Sequence, residues 1–244
     1  MRTLKELTPT MSARSVLLSL LLGMETGSLP VSAIINVIEP LGFTAPTLRT
    51  ALSRMVVNGD LKNFDGVYTL ESKHQVRKRT QEEKVNPKFM VEETGWSMAV
   101  ITATGRSASS RTITREILYE YRYAELCNGV WLRPDNLIKK LPLLNEIQVF
   151  TVKHDDEQYI VNCLWDLEVW AAEANLIIDA LNYENEPNTR FLAAAAAVRH
   201  LKTDPVLPIR LQPNNWPAKD LLKAYKIYRH YITCLASERI EKYE

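Results

Sequence analysis

Residues 31–70 constrain this chain more than any other stretch, because two helical patterns, a tight corner and a hairpin signal follow one another with almost no spare residues. Between Thr44 and Gly59, Leu48, Leu52 and Met55 fall on one line of a helix, with Ala45, Ala51 and Val56 beside them. Thr44 suits the N-cap, Pro46 suits a first turn whose N–H groups have no partner anyway, and Asn58-Gly59 closes the helix. A preceding helix is expected over Pro30–Glu39 with Ile34, Val37 and Ile38 inward, and Gly42 in Pro40-Leu41-Gly42-Phe43 supplies the positive φ of a helix–helix corner. Leu61–Phe64 and Val67–Leu70 flank Asp65-Gly66, a strong short hairpin signal. Upstream, Ser12 caps an apolar run that ends at Gly23. The pattern predicts a winged helix-turn-helix.

The outward face of the second helix carries Pro46, Thr47, Thr50, Ser53 and Arg54, with Arg49 on its flank. Short hydroxyl side chains let a backbone approach a DNA groove, and arginine bonds phosphate or guanine edges. Thr47, Thr50, Ser53 and Arg54 are therefore expected to face base edges of double-stranded DNA, while Arg14, Thr44 and Arg49 hold phosphates. Lys62 is the only cation of the short wing. Charge leans the same way: residues 1–90 carry 12 Lys and Arg against 8 Asp and Glu, whereas residues 91–244 carry 18 against 21. The overall net charge of +1 predicts weak non-specific attraction to nucleic acid. Lys73, His74, Arg77, Lys78 and Arg79 form a basic run that fits a backbone clamp or a solvated helix face equally well. A winged helix that binds another protein is the competing reading.

With 46% hydrophobic residues, the chain can bury one large core or several small ones. No apolar run approaches the length of a membrane span, and the start has no secretory hydrophobic region, so a cytoplasmic location is expected. Cys127, Cys163 and Cys234 are odd in number and widely spaced, which fits a reducing compartment and offers no zinc pattern; Cys163 and Cys234 read as small core residues. Neither cofactor nor metal is expected from motifs.

From about residue 80 the sequence turns charged and non-periodic, and Asn86-Pro87 breaks any helix, which suggests a linker over 81–94. A strand is expected at Trp96–Thr104, a helix at Arg111–Leu126, a strand at Asn128–Arg133, a short helix at Asn136–Leu144, and strands at Ile147–Val152 and Tyr159–Trp165. That order predicts an α+β ferredoxin-like domain over 95–166, whose open sheet edges favour a homodimer. Two functional alternatives attach to this segment. A metal-dependent nuclease would need a carboxylate at the first strand's end, where Ile101-Thr102-Ala103-Thr104 offers none. Arg106, Ser107, Ser109 and Ser110 resemble a phosphate cradle before a helix, or simply a polar loop. The remaining stretch, 167–244, predicts a helical domain with helices at Leu167–Leu181, Phe191–Lys202 and Ala218–Ser237. In the last, Leu221, Tyr225, Tyr228, Ile232 and Leu235 make a core-type stripe. The N-terminal winged helix-turn-helix would then occupy 1–80.

Four segments resemble the PaaX family of bacterial transcriptional repressors: Ser12-Ala-Arg-Ser15; Leu48-Arg-Thr-Ala-Leu-Ser-Arg-Met55 with Asn58-Gly-Asp-Leu61; Gly129-Val-Trp-Leu-Arg-Pro134; and Val198–Pro208 with Pro213-Asn-Asn-Trp-Pro217. The likeness runs from about Ser12 to Tyr231. It implies a winged helix, a ferredoxin-like dimerisation domain, a helical C-terminal domain, and a repressor that leaves its operator when an aryl-acyl-coenzyme A thioester, such as phenylacetyl-CoA, binds. The chain departs from the family in its short wing, in Glu92 where an aromatic often precedes the matching Trp96, and at Gln212 and Ala218.

Overall fold

The computed structural model describes residues 1–91, 95–103, 105 and 107–237; Glu92, Thr104 and Arg106 lie outside the described residues. These residues form an α+β protein divided into two compact units, and the units do not follow the sequence in simple order. The first comprises Met1–Val85, Ala171–Lys202 and the chain from Pro217 onward, and the second Asn86–Trp170 and Thr203–Trp216. The C-terminal helices thus share a unit with the winged helix instead of standing apart over 167–244.

In the first unit a one-turn helix α1 (Leu4–Leu7) precedes α2 (Ala13–Gly23), which is capped by Ser12: its side chain accepts the Ser15 N–H at 3.3 Å. Val16, Leu17, Leu20 and Leu21 of α2 are buried. Strand β1 (Ser28–Pro30), helix α3 (Val31–Ile38) and a 3-10 turn at Glu39–Leu41 lead to Gly42, whose φ of 94° makes the corner into α4 (Ala45–Val57). Strands β2 (Leu61–Phe64) and β3 (Val67–Leu70) form the wing, and β1 pairs with the other side of β3 to give an antiparallel sheet ordered β1-β3-β2. Asp65 and Gly66 take φ of 47° and 78°, the paired left-handed conformation of a tight hairpin turn. Helix α5 (Ser72–Val85) follows. It reaches further than the linker boundary read from sequence because its last turns have partners: Gln81 accepts from Lys202 Nζ at 3.3 Å, Glu82 accepts from Arg229 at 2.7 Å, and Val85 is buried. Helix α8 (Leu167–Tyr183), whose part from Ala171 onward belongs to this unit, α9 (Pro187–Leu201) and α10 (Ala218–Ser237) stand where helices are expected, and Leu221, Tyr225, Tyr228 and Ile232 are buried as the stripe implied.

The second unit is built on an antiparallel sheet of β4 (Trp96–Ile101), β5 (Ala124–Cys127), β6 (Val130–Pro134) and β7 (Ile147–Val152), ordered β5-β6-β4-β7. Helix α6 (Ala108–Glu120) crosses from β4 to β5 and packs Leu118 against Ala99, Tyr123 and Trp131 on one face. On the other face Trp96 and Leu132 pack with Ile160, Val161, Leu207 and Leu211. The layout is ferredoxin-like, with its second crossover helix missing.

Four expectations are corrected. Tyr159–Trp165 is not a strand but lies in and just after helix α7 (Glu157–Leu164). Asp156 caps that helix by accepting the Tyr159 N–H at 2.9 Å, and burial of Ile160 and Val161 outweighs the β preference of an aromatic, β-branched run. Asn136–Leu144 is irregular instead of helical. Pro142 cannot donate to a helix there, while Asn136 donates to the Val206 carbonyl at 2.8 Å and Ile138 N–H to the Lys88 carbonyl at 3.1 Å. The helix expected through Leu126 stops at Glu120, and Ala124–Cys127 becomes β5, paired with β6 around Asn128-Gly129. The stop is made by Arg122, a non-glycine residue at φ 69° whose buried guanidinium donates to the Asp204 carbonyl at 2.7 Å. Cys163 and Cys234 are exposed, as is Cys127, so neither is a core residue. Once α7 is a helix, its buried side is filled by Ile160 and Val161, which leaves Cys163 outward.

Candidate nucleic-acid interface

Helix α4 separates its two faces sharply. Leu48, Leu52 and Met55 are fully buried, while Pro46, Thr47, Arg49, Thr50, Ser53, Arg54, Val57 and Asn58 are exposed. At the N-terminus Thr44 occupies the cap position but its hydroxyl turns to the Thr47 hydroxyl at 2.9 Å, so both lie together at the mouth of the helix. Thr50 donates to the Pro46 carbonyl at 2.9 Å and Ser53 to the Arg49 carbonyl at 3.0 Å. With their protons held on the helix, these hydroxyls present acceptor lone pairs outward, and Thr50 adds a methyl group. Such groups suit amino donors of adenine or cytosine and the thymine methyl. The backbone carbonyls of Arg49 and Arg54 accept hydrogen bonds within the helix, but their guanidinium groups form no hydrogen bond or ion pair with any described residue, so those donors are unspent.

Arg14, at the start of α2, joins Thr47, Thr50, Arg54 and Asn58 in lining one groove. Arg49 and Ser53 lie on the same exposed side of α4 without lining that groove, and Lys62 stands apart on the wing, 3.4 Å from Glu71 Oε2. The wing tip instead presents Phe64, an apolar ring 83% exposed beside the Asp65-Gly66 turn. An exposed aromatic next to a turn was legible in the sequence, but no periodic pattern drew attention to it.

A buried carboxylate organises the candidate interface, and no sequence pattern singles it out. Asp60 is only 2% exposed and sits between the end of α4 and the start of the wing. Arg14 Nε and Nη2 donate to its Oδ2 at 2.9 and 2.7 Å, Lys73 Nζ reaches Oδ1 at 2.8 Å, and His74 Nε2 reaches Oδ1 at 3.0 Å. Its own N–H donates to the Met55 carbonyl at 2.8 Å, and its carbonyl accepts the Glu71 N–H at 3.0 Å. Burial alone would raise the Asp60 pKa, but hydrogen bonds from Lys73, His74 and Arg14 outweigh it and hold the group well below the usual carboxylate range. The basic run after the wing therefore begins as an internal clamp, with Lys73 and His74 spent on Asp60. Nothing in the local pattern around Asn58-Gly59 signals this, because the three donors come from positions 14, 73 and 74.

Two other sequence candidates resolve differently. Ser107 caps α6 by accepting the Ser110 N–H at 3.2 Å and lies 3.0 Å from the Ser109 hydroxyl, so the serines of the supposed cradle satisfy their own helix. Among the described residues, no group of three or more His, Cys, Asp or Glu is placed to hold a metal ion. No helix among them is long and apolar enough to cross a membrane.

Comparisons with known proteins agree with this architecture. A family model described as PaaX-like protein matches residues 12–72, the segment from the α2 cap to the start of α5. Among curated proteins no sequence matches. A solved structure, described as uncharacterized protein Rv0674 from Mycobacterium tuberculosis, is similar with a TM-score of 0.84 and 33% sequence identity, covering 93% of this chain and 98% of that one. With residues 12–72 matched by the family model and 93% of its length covered by a structural relative 33% identical to it, the chain belongs to the PaaX-like protein family.

Proposed function

We propose that this protein is a homodimeric, DNA-binding transcriptional repressor of a catabolic operon, released from its operator by an aryl-acyl-coenzyme A effector such as phenylacetyl-CoA. PaaX-like proteins are generally transcriptional regulators, which supports the broad class. The observation that carries the DNA-binding part is the exposed side of α4, where Thr47, Thr50, Ser53, Arg49 and Arg54 stand outward over a buried Leu48, Leu52 and Met55. In this reading Thr47, Thr50, Ser53 and Arg54 read bases, and Arg14, Thr44, Arg49 and Lys62 contact the phosphate backbone. Edge strand β7 supports a dimer, because Val149 and Phe150 are half exposed along it. A two-fold dimer would read paired half-sites spaced by roughly 34–36 Å or a multiple of it.

A gel shift with duplexes from the chain's own promoter region tests the reading. Binding should fall steeply with salt and should favour one sequence over random duplex. Adding phenylacetyl-CoA should then release the operator, which requires the thioester to favour one conformation over another. Equal affinity for all duplexes would remove sequence-specific regulation, and indifference to thioesters would remove effector release.

A further inference from the structure

Helix α9 contains five consecutive alanines, Ala193–Ala197, and they do not all serve close helix contact. Ala193, Ala196 and Ala197 are sealed in the core, whereas Ala194 and Ala195 border a cavity of about 120 Å3 within the first unit. The opposite wall comes from α2, where Gly23 adds nothing and a Cβ built on it would meet no atom within 4 Å. Phe191, Tyr225, Tyr228 and Ile232 complete an apolar, aromatic lining. An apolar cavity of roughly 150 Å3 accommodates benzene, so this one matches a single ring or a short branched chain.

The same cavity is lined by three cationic side chains, Arg199, Lys202 and Arg229, and by no carboxylate among its described lining residues. Arg229 is paired with Glu82 at 2.7 Å and Lys202 donates to Gln81 at 3.3 Å. Arg199 spends one nitrogen on the Leu7 carbonyl at 2.8 Å and forms no ion pair with any described residue. Burial, together with the charge of nearby Arg2, lowers the Arg199 pKa, as expected for a guanidinium lacking an anion. Burial also raises the pKa of Tyr225 and Tyr228, keeping both phenols protonated.

We propose that this cavity binds a small carboxylate whose apolar body is one ring or a short branched chain, seated against Ala194 and Gly23 with its carboxylate toward Arg199, Lys202 and Arg229. The site goes beyond the proposed thioester response and does not depend on α4 reading DNA. A coenzyme A thioester is both too large for the cavity and without a free carboxylate at its acyl carbon. A small acid would bridge α2, which supports the winged helix, to α9 and α10.

Isothermal titration of the full chain with benzoate and with 4-methylpentanoate tests this without DNA. At least one acid should bind saturably with one site per chain, and benzamide, which lacks the charge, should bind at least about tenfold more weakly. Ala194→Leu should abolish binding by filling the cavity, and Lys202→Gln should weaken it about tenfold. Circular dichroism and thermal melting report whether each variant is folded; should Ala194→Leu not fold, Lys202→Gln decides. Absence of saturable binding by both acids, equal binding of benzamide, or undiminished binding in the folded variants overturns the proposal. Gel shifts on the same preparations report DNA binding separately, so loss of one reading leaves the other standing.

Discussion

Arg14 places both Nε and Nη2 on a single oxygen of Asp60, at 2.9 and 2.7 Å, which ties the first turn of α2 to the exit of α4 across 46 residues of sequence. Lys73 shares the same carboxylate, so two full cations meet one anion and the cluster keeps positive charge beside the groove of α4. The pair thus joins α2 to α4 and holds cationic side chains beside that groove.

Asp60→Ala should destabilise the first unit by about 1–3 kcal/mol, because it leaves the buried His74 without its acceptor, while Arg14 and Lys73 are half exposed and recover water. Urea unfolding measures this. A change within about 0.5 kcal/mol would show that the cluster is not structural.

Arg14→Gln separates scaffold from contact. An ion pair this exposed on the arginine side contributes at most about 1 kcal/mol to stability. If Arg14 also holds a phosphate, affinity should fall for every duplex alike and the salt dependence should lose about one counterion. Unchanged salt dependence would confine Arg14 to the Asp60 clamp.

Arg49 and Arg54 should behave differently although both are exposed and without a described partner. Arg54→Ala should cost about 1–3 kcal/mol on the operator and relax selectivity at one base position. Arg49→Ala should weaken all duplexes evenly. Binding measured on an operator and its single-base variants distinguishes them, and an unchanged operator affinity for Arg54→Ala would remove its base-reading role.

Acid should weaken the first unit through Glu173. Hydrogen bonding from the Arg2 side chain, opposed by burial and aided by the Arg2 backbone N–H, its charge and His200, holds Glu173 at about 2 instead of its ordinary 4.5. A depressed carboxylate stabilises the fold fully above its unfolded value, and the stabilisation is lost as pH falls from about 4.5 through about 2. Solvent screening of the 59% exposed Arg2 side chain limits the effect to about 1–2 kcal/mol. Arg2→Ala should therefore destabilise the protein at pH 7 and converge with the parent near pH 2; a constant difference across that window would contradict the linkage.

Gly95→Ala tests the second unit. Gly95 has φ of 102°, and an added Cβ would approach the Val152 carbonyl oxygen at 2.8 Å, where β4 begins its pairing with β7. Unfavourable backbone conformation and the clash together should cost about 2–4 kcal/mol. A melting temperature within a degree of the parent would refute the argument.

Most of the winged helix was legible because its signals are local. Ser12 as cap, the line of Leu48, Leu52 and Met55, and Asp65-Gly66 between two strands each act through neighbours a few residues away, and the structure uses all three. The outward residues of α4 could be named for the same reason, as the complement of a buried stripe.

What only tertiary structure decided depends on distant partners. Tyr159–Leu164 becomes a helix because its buried positions meet Leu207 and Leu211, and α6 ends early because Arg122 is held at Asp204. Asp60 draws its donors from both sides of α4, and the alanines of α9 line a cavity only because Gly23 of α2 faces the same space. Local propensity amounts to a few tenths of a kcal/mol per residue, so burial and long-range hydrogen bonds, each larger, override it wherever they disagree.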